Sequence, residues 1–148
     1  MMTRTGFCWG ILILALQMGA QGQTGTDSYL GKWIVKDALC SDCGRRVPSE
    51  KGAIIQFGYT EIRNPLAEDC THDPGYGLLN EMSGTQVVMR YGKQWPQSVS
   101  RAIPKQAKVR YGFLTCGGTN LMQMLFLSDK HAFYFFEGGI AFDLQRVH

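Results

Sequence analysis

Residues 108–146 have the sequence KVRYGFLTCGGTNLMQMLFLSDKHAFYFFEGGIAFDLQR, and this stretch decides the fold. It consists of short runs rich in β-branched and aromatic residues, which are typical of strands and show almost no helical period. Glycine pairs and a Ser-Asp pair separate the runs, and such glycines take the positive φ that tight hairpin turns require. The stretch therefore predicts strands joined by hairpins at Lys108–Cys116, Leu121–Leu127, Ala132–Glu137 and Ile140–Arg146.

The chain upstream of this stretch shows the same pattern of short strand-like runs. Only Trp95 to Ile103 is compatible with a helical turn or two, because Pro96 and Pro104 limit it. The other candidate strands are Leu30–Asp37, Ala53–Phe57, Thr60–Arg63, Tyr76–Met82 and Gln86–Tyr91.

So many short strands must bury their apolar faces, and a chain of this length suits a sandwich or a closed antiparallel barrel. Closure is favoured because it removes exposed strand edges. We therefore predict an all-β fold, a closed or nearly closed antiparallel barrel in which about eight strands form a meander. The interior of such a barrel is filled by side chains or holds one small ligand.

The first 22 residues, MMTRTGFCWGILILALQMGAQG, match the order of a cleaved secretory signal peptide. Arg4 supplies the positive start, residues 7–16 form an apolar run, and Ala20 and Gly22 are small residues at a cleavage site. A membrane-spanning helix needs about 20 apolar residues, roughly twice this run. We expect residues 1–22 to be removed and residues 23–148 to form one exported domain, periplasmic or secreted, without a transmembrane segment.

The two ends of the predicted barrel carry complementary side chains. Ile140, Phe142 and Leu144 share one face of the last strand, and the same phase places Arg146 at the end of that face. A guanidinium on an apolar face needs a partner, and the ring of Trp33 in the first strand supplies one by stacking.

Gly31-Lys32-Trp33 resembles the Gly-x-Trp motif of the lipocalins and their relatives, the calycin group. In that group a basic residue at the end of the last strand packs across the tryptophan, which implies this position for Arg146. The layout is also similar to small bacterial envelope proteins of unknown function that have a lipocalin-like barrel. The resemblance implies a structural barrel signature of Gly31, Trp33 and Arg146.

Four cysteines lie beyond the predicted signal peptide, and an even number in an exported domain predicts disulfides. Cys40 and Cys43 form a C-x-x-C followed by a loop, which favours a local disulfide over a redox or zinc motif. Cys70 and Cys116 then pair by elimination, although cross-pairing with the first two stays open.

The sequence gives little support for catalysis or for metal binding. Glu68 to Asp73 is a cluster of metal-ligand residue types, with Cys70 near His72, but no recognised metal or nucleophile spacing is present. No phosphate loop, dinucleotide fingerprint or serine-hydrolase elbow occurs. The charge of +3 is too small and scattered to indicate nucleic acid, and 45% hydrophobic content excludes a disordered chain. We expect a non-enzyme without a cofactor or metal.

We predict a monomeric binding protein, whose partner is a small apolar ligand in the barrel or an envelope protein at the loops. One alternative is an inhibitor of an envelope hydrolase or protease that acts through a projecting loop, Lys93–Lys105 or Cys40–Ser49. Another is a thiol oxidoreductase that uses Cys40 and Cys43. Basic residues around Trp95 provide a solvated face or a contact for an acidic partner or membrane phosphates. The residues predicted to line a cavity are Phe113, Met124, Phe135 and Phe142.

Overall fold

The structure is a computed structural model that describes residues 25–40, 50–77, 79–136 and 139–148. The signal peptide predicted for residues 1–22 and the predicted role of Cys43 lie outside the described residues.

Nine strands and two α-helices are present in the described residues. The helices are α1 (Gly84–Tyr91) and α2 (Gln97–Ala102), and short 3₁₀ turns occur at Thr26–Ser28 and Gly92–Gln94. The strands are β1 (Gly31–Cys40), β2 (Ile54–Phe57), β3 (Ile62–Arg63), β4 (Pro74–Tyr76), β5 (Asn80–Ser83), β6 (Lys108–Cys116), β7 (Thr119–Phe126), β8 (His131–Phe136) and β9 (Ile140–Val147).

All strand pairs are antiparallel, and eight strands follow the order β3-β2-β1-β9-β8-β7-β6-β4, with β5 paired beside β4 on β6. The two ends of this path approach each other, because Ile62 in β3 forms a bridge with Cys70, just before β4 begins. The sheet is thus a nearly closed barrel, which confirms the predicted fold class. The first strand, β1, pairs with the last strand, β9, so the N-terminal and C-terminal parts of the domain meet within the sheet.

Hairpin strands agree best with the sequence prediction. β6 has the predicted bounds, and Gly117 and Gly118 form the turn to β7 with φ values of 56° and 81°. Those angles are the left-handed values that a two-residue turn of type I′ requires. The short helix expected between Trp95 and Ile103 is present as α2.

The strand predicted at Gln86–Tyr91 is wrong, because this segment belongs to α1. Ser83 accepts a hydrogen bond from the backbone N–H of Gln86, and the Gln86 side chain accepts one from the N–H of Ser83. This reciprocal pair is a capping box, which satisfies the free N–H groups of a first helical turn. The strand predicted at Tyr76–Met82 is in fact divided between β4 and β5.

Apolar side chains on both faces of the sheet form two cores. The interior core lies inside the barrel, and its largest fully buried members are Tyr29, Trp33, Phe57, Phe126, Tyr134 and Phe142. The second core joins α1 and α2 to the outer face of β6–β9 and includes Val87, Trp95, Val99, Ile103, Val109, Tyr111, Leu125 and Phe133. The helices therefore form an outer layer on one side of the barrel.

Candidate functional site

Trp33 and Arg146 lie against each other at one end of the barrel, which we call the closed end. They are direct partners in the β1–β9 register, and the guanidinium carbon lies 4.7 Å from the centre of the Trp33 ring. Arg146 also donates to the carbonyl oxygen of Ser28 at 2.5 Å, and Trp33 Nε1 donates to that of Tyr29 at 2.9 Å. Burial lowers the pKa of Arg146. Gly31, at the start of β1, has a φ of 112°.

A second cation, Arg110, contributes to the same end. Its guanidinium donates to Ser28 Oγ at 2.7 Å and to Asp129 Oδ1 at 2.6 Å, and it lies 5.8 Å from the centre of the Phe126 ring. Both arginines thus bind the segment that precedes β1. Most polar groups at the closed end therefore bind other groups of the protein, whereas Arg146 Nε is buried without a hydrogen-bond partner among the described residues.

The interior of the barrel is occupied by large side chains. Tyr29 packs edge-on against Phe126, with 5.0 Å between ring centres, and its hydroxyl donates to the carbonyl oxygen of Gly77 at 3.1 Å. Tyr134 packs near Phe142 at 5.7 Å. Desolvation in this core raises the pKa of Tyr29 and of Tyr134 above the usual value. The barrel interior, where a ligand was expected, thus contains closely packed large side chains.

The four residues predicted to line one cavity lie on opposite faces of the sheet, so this prediction needs correction. Met124 and Phe142 belong to the interior core, whereas Phe113 and Phe135 lie on the outer face. The register explains the division, because Phe113 and Phe135 both pair with Gln123. Met124 comes next along β7, and successive side chains point to opposite faces.

A groove of about 500 Å³ begins on the outer face beside the helical layer and extends over the ends of the β6–β7 and β8–β9 hairpins to Met122, Phe136 and Ile140, which belong to the interior face. We call it the outer groove. Its lining includes aromatic side chains at positions 95, 111, 113, 135 and 136 and amide side chains at positions 94, 120 and 123. Phe113 and Phe136 remain 44% and 37% exposed, so their rings are accessible to a ligand.

Stacked rings form one wall of the outer groove. Trp95 and Phe135 are nearly parallel, with 4.5 Å between ring centres and an interplanar angle of 10°. Tyr91, which does not line the groove, stacks on Tyr111 with 4.3 Å between ring centres. The Tyr111 hydroxyl donates to Gln123 Oε1 at 2.6 Å, which holds the Gln123 amide at the groove. Burial raises the pKa of Tyr111 to about 12, so the hydroxyl stays a neutral donor at physiological pH.

The sequence prediction named Phe113 and Phe135 but missed the partners that make them a site. A usable signal was present in β6, where Val109, Tyr111 and Phe113 alternate with residues that include Leu114. From residue 111 to residue 114 neither face of this strand carries a charged side chain, which indicates that something covers its outer side. Trp95, in the predicted helical turn, was the candidate for that cover.

Cys70 and Cys116 form a disulfide, as predicted. Cys40 is also disulfide-bonded. The Cys70 sulfur is therefore committed to a covalent bond, which removes the nucleophile considered beside His72. Asp69 accepts a hydrogen bond from the backbone N–H of Asn64 at 2.6 Å. Within the described ranges, no group of three or more His, Cys, Asp or Glu residues is placed to hold a metal ion.

The first of the two loops considered for an inhibitor, Lys93–Lys105, contains the end of the second 3₁₀ turn and all of α2. Trp95, Val99 and Ile103 within it are buried against the sheet, so this segment is a packed layer. The second loop, Cys40–Ser49, lies beyond the described residues after Cys40. None of the helices in the described ranges is long and apolar enough to cross a membrane.

Comparisons with protein-family models, with curated proteins and with solved structures find no match to this chain.

Proposed function

We propose that this protein is an exported, non-enzymatic binding protein with a lipocalin-like barrel, and that it binds one small, flat, mainly apolar ligand in the outer groove. The single observation that carries the proposal is the groove itself, whose aromatic wall includes the parallel rings of Trp95 and Phe135. A flat ligand would extend this stack with its own face, as offset aromatic pairs do.

Size and chemistry of the groove support a small ligand. Ligand sites are usually clefts of about 300–1,000 Å³, mostly apolar, with a few polar groups that orient the ligand. The outer groove falls in this range at about 500 Å³. The amides of Gln94, Asn120 and Gln123 supply polar groups of both kinds, donor and acceptor.

The outer site is favoured over the barrel interior because the interior is filled. Export is supported by the signal-like first 22 residues and by the disulfides, which persist in oxidising compartments. The lipocalin-like assignment rests on the barrel together with the stacking of Arg146 on Trp33.

The experiment is a fluorescence titration of the purified protein with phenylnaphthylamine, a flat neutral probe. We expect saturable binding with one site, accompanied by a change in Trp95 emission that Trp95→Phe removes. Phe113→Ala should weaken binding by about tenfold or more, since burial of a phenylalanine side chain contributes roughly 1.5–3 kcal/mol. Phe113 is 44% exposed, so its removal leaves the core intact.

Tyr59→Ala is the matched control, because Tyr59 is an aromatic residue that is 72% exposed and does not line the groove. It should bind the probe as the unaltered protein does. Absence of saturable binding, or equal loss in both variants, would overturn the proposal. Native mass spectrometry adds a second readout, in which a co-purified small molecule supports it.

A further inference from the structure

We propose that the solvent side of the helical layer is a docking surface for an anionic phospholipid bilayer. This surface is defined by Met89, Arg90, Lys93, Arg101 and Lys105. It is separate from the outer groove, and the proposal does not depend on the ligand function.

The charge distribution along the chain is strongly uneven at this layer. Between Glu81 and Asp129 the sequence contains no Asp or Glu but six Lys or Arg. Two of the six are neutralised in the structure, because Lys108 lies 3.0 Å from Glu81 and Arg110 binds Asp129. The net positive charge of this segment therefore lies on the helices and the turns next to them.

The other four cations of this segment are all exposed. Within the part of the chain that the structure describes, none of them forms an ion pair. Arg101 donates only to Gln97 on its own helix, at 2.9 Å, and Arg90 lies over the ring of Tyr91. Their charges are thus available to an external anion. These cations are Arg90, Lys93, Arg101 and Lys105.

An exposed apolar side chain, Met89, lies beside two of these cations, next to Arg90 in the sequence and in one groove with Lys105. α1 buries Val87 against the sheet, while Met89, on the opposite side of the helix, is 77% exposed. Met89 and Lys105 line the same shallow groove of about 210 Å³ between α1 and α2, together with Val88 and Ile103. Nothing in the described residues covers this groove.

Exposed cations and an exposed apolar side chain on one helical layer match the layers of a bilayer surface. Phosphate groups lie outermost and attract Lys and Arg, and the acyl boundary just beneath them accepts an apolar side chain. An acidic protein would satisfy the charges but offers no general reason for the exposed Met89. We therefore favour the bilayer.

The test is flotation of the purified protein with vesicles made from equal amounts of phosphatidylglycerol and phosphatidylcholine, compared with phosphatidylcholine alone. We expect selective binding to the anionic vesicles that is lost at about 1 M NaCl, where the screening length falls to about 3 Å. The apolar run at residues 7–16, where retained, is the same in every variant, so differences between variants report on the helical layer.

Two quadruple variants remove equal charge from different faces. Each cation near an anionic surface contributes about a fivefold change in partitioning, so loss of four should reduce it by several hundredfold. The first variant combines Arg90→Gln, Lys93→Gln, Arg101→Gln and Lys105→Gln. The matched control combines Lys32→Gln, Lys36→Gln, Lys51→Gln and Lys130→Gln, all at exposed positions outside α1 and α2.

Insertion of the apolar side chain is tested separately. Met89→Trp should show a blue shift of emission on anionic vesicles, whereas Tyr59→Trp, at an equally exposed position, should not. The proposal is overturned if the protein does not float with anionic vesicles, if both quadruple variants lose binding equally, or if the tryptophan at position 89 stays in water. Retention on heparin without vesicle binding would instead indicate a polyanion partner and would also overturn it.

Discussion

Gly112→Ala is a sharp test of whether the barrel interior is filled. Gly112 lies in β6 and faces the interior, and a Cβ placed there overlaps the hydroxyl of Tyr29. The same Cβ would lie 2.7 Å from Leu79 Cδ2 and 3.1 Å from Tyr29 Cζ. Tyr29 cannot move aside easily, because its hydroxyl donates a hydrogen bond to the carbonyl oxygen of Gly77 and its ring packs on Phe126.

The expected change follows from two opposed effects. Alanine restricts the unfolded chain and by itself stabilises by about 0.4–1 kcal/mol where the backbone is compatible. Overpacking of a well-filled core costs about 1–3 kcal/mol, and loss of the Tyr29 hydrogen bond adds about 1 kcal/mol. We therefore expect Gly112→Ala to lower the free energy of unfolding by about 2 kcal/mol.

Urea unfolding with intact disulfides, followed by circular dichroism, measures this change, and a double-mutant cycle locates its cause. Tyr29→Phe removes the hydroxyl that the new Cβ would meet, so Gly112→Ala should cost about 1–2 kcal/mol less in that background. Gly25→Ala is the control, because nothing lies within 4 Å of its Cβ position. If the free energy of unfolding of Gly112→Ala lies within about 0.5 kcal/mol of that of the unaltered protein, the conclusion that the barrel interior is filled is refuted.

Three further outcomes follow from the structure. Burial raises the pKa of four tyrosines, so the folded state keeps protons that the unfolded state loses near pH 10. Stability should not depend on these groups below about pH 10 and should fall above it, with the contributions of Tyr76 and Tyr111 lost by about pH 12, as measured by circular dichroism alongside phenolate absorbance. Ionisation of all four near pH 10 in the folded protein would contradict this. Ser83→Ala removes the α1 cap and should cost about 0.5–2 kcal/mol in urea unfolding, whereas an unchanged midpoint would show that the cap is not needed. Cys70→Ser with Cys116→Ser opens a loop whose ends are 46 residues apart and should cost about 4 kcal/mol in the same assay, and a loss below about 1 kcal/mol would argue against a constrained unfolded chain. The four tyrosines are Tyr29, Tyr76, Tyr111 and Tyr134.

Strand faces were predictable where a short-range rule decides them. Because side chains alternate along a strand, the phase of the last strand placed Arg146 on the same face as Phe142. Trp33 needed one further step, the closure that makes β1 and β9 neighbours, which was favoured because closure removes exposed strand edges.

The helix α1 was not predictable from apolar pattern alone. Its sequence from Gln86 to Tyr91 contains adjacent valines, which favour strands. The cap at Ser83 and the burial of Val87 against the outer face of the sheet outweigh that preference. Propensity is a weak prior, and tertiary context overrides it here.

The sequence by itself determined the short strands, their hairpins and the strand face on which Arg146 lies, since these depend on alternation and on turn residues close together in the chain. The tertiary structure alone decided which apolar residues share a site. Phe113 and Phe135 meet across Gln123 only through the register of three strands, and Trp95 reaches them only because the helices fold back over that face. Register and layer packing are set by contacts between residues far apart in sequence, which no local pattern records.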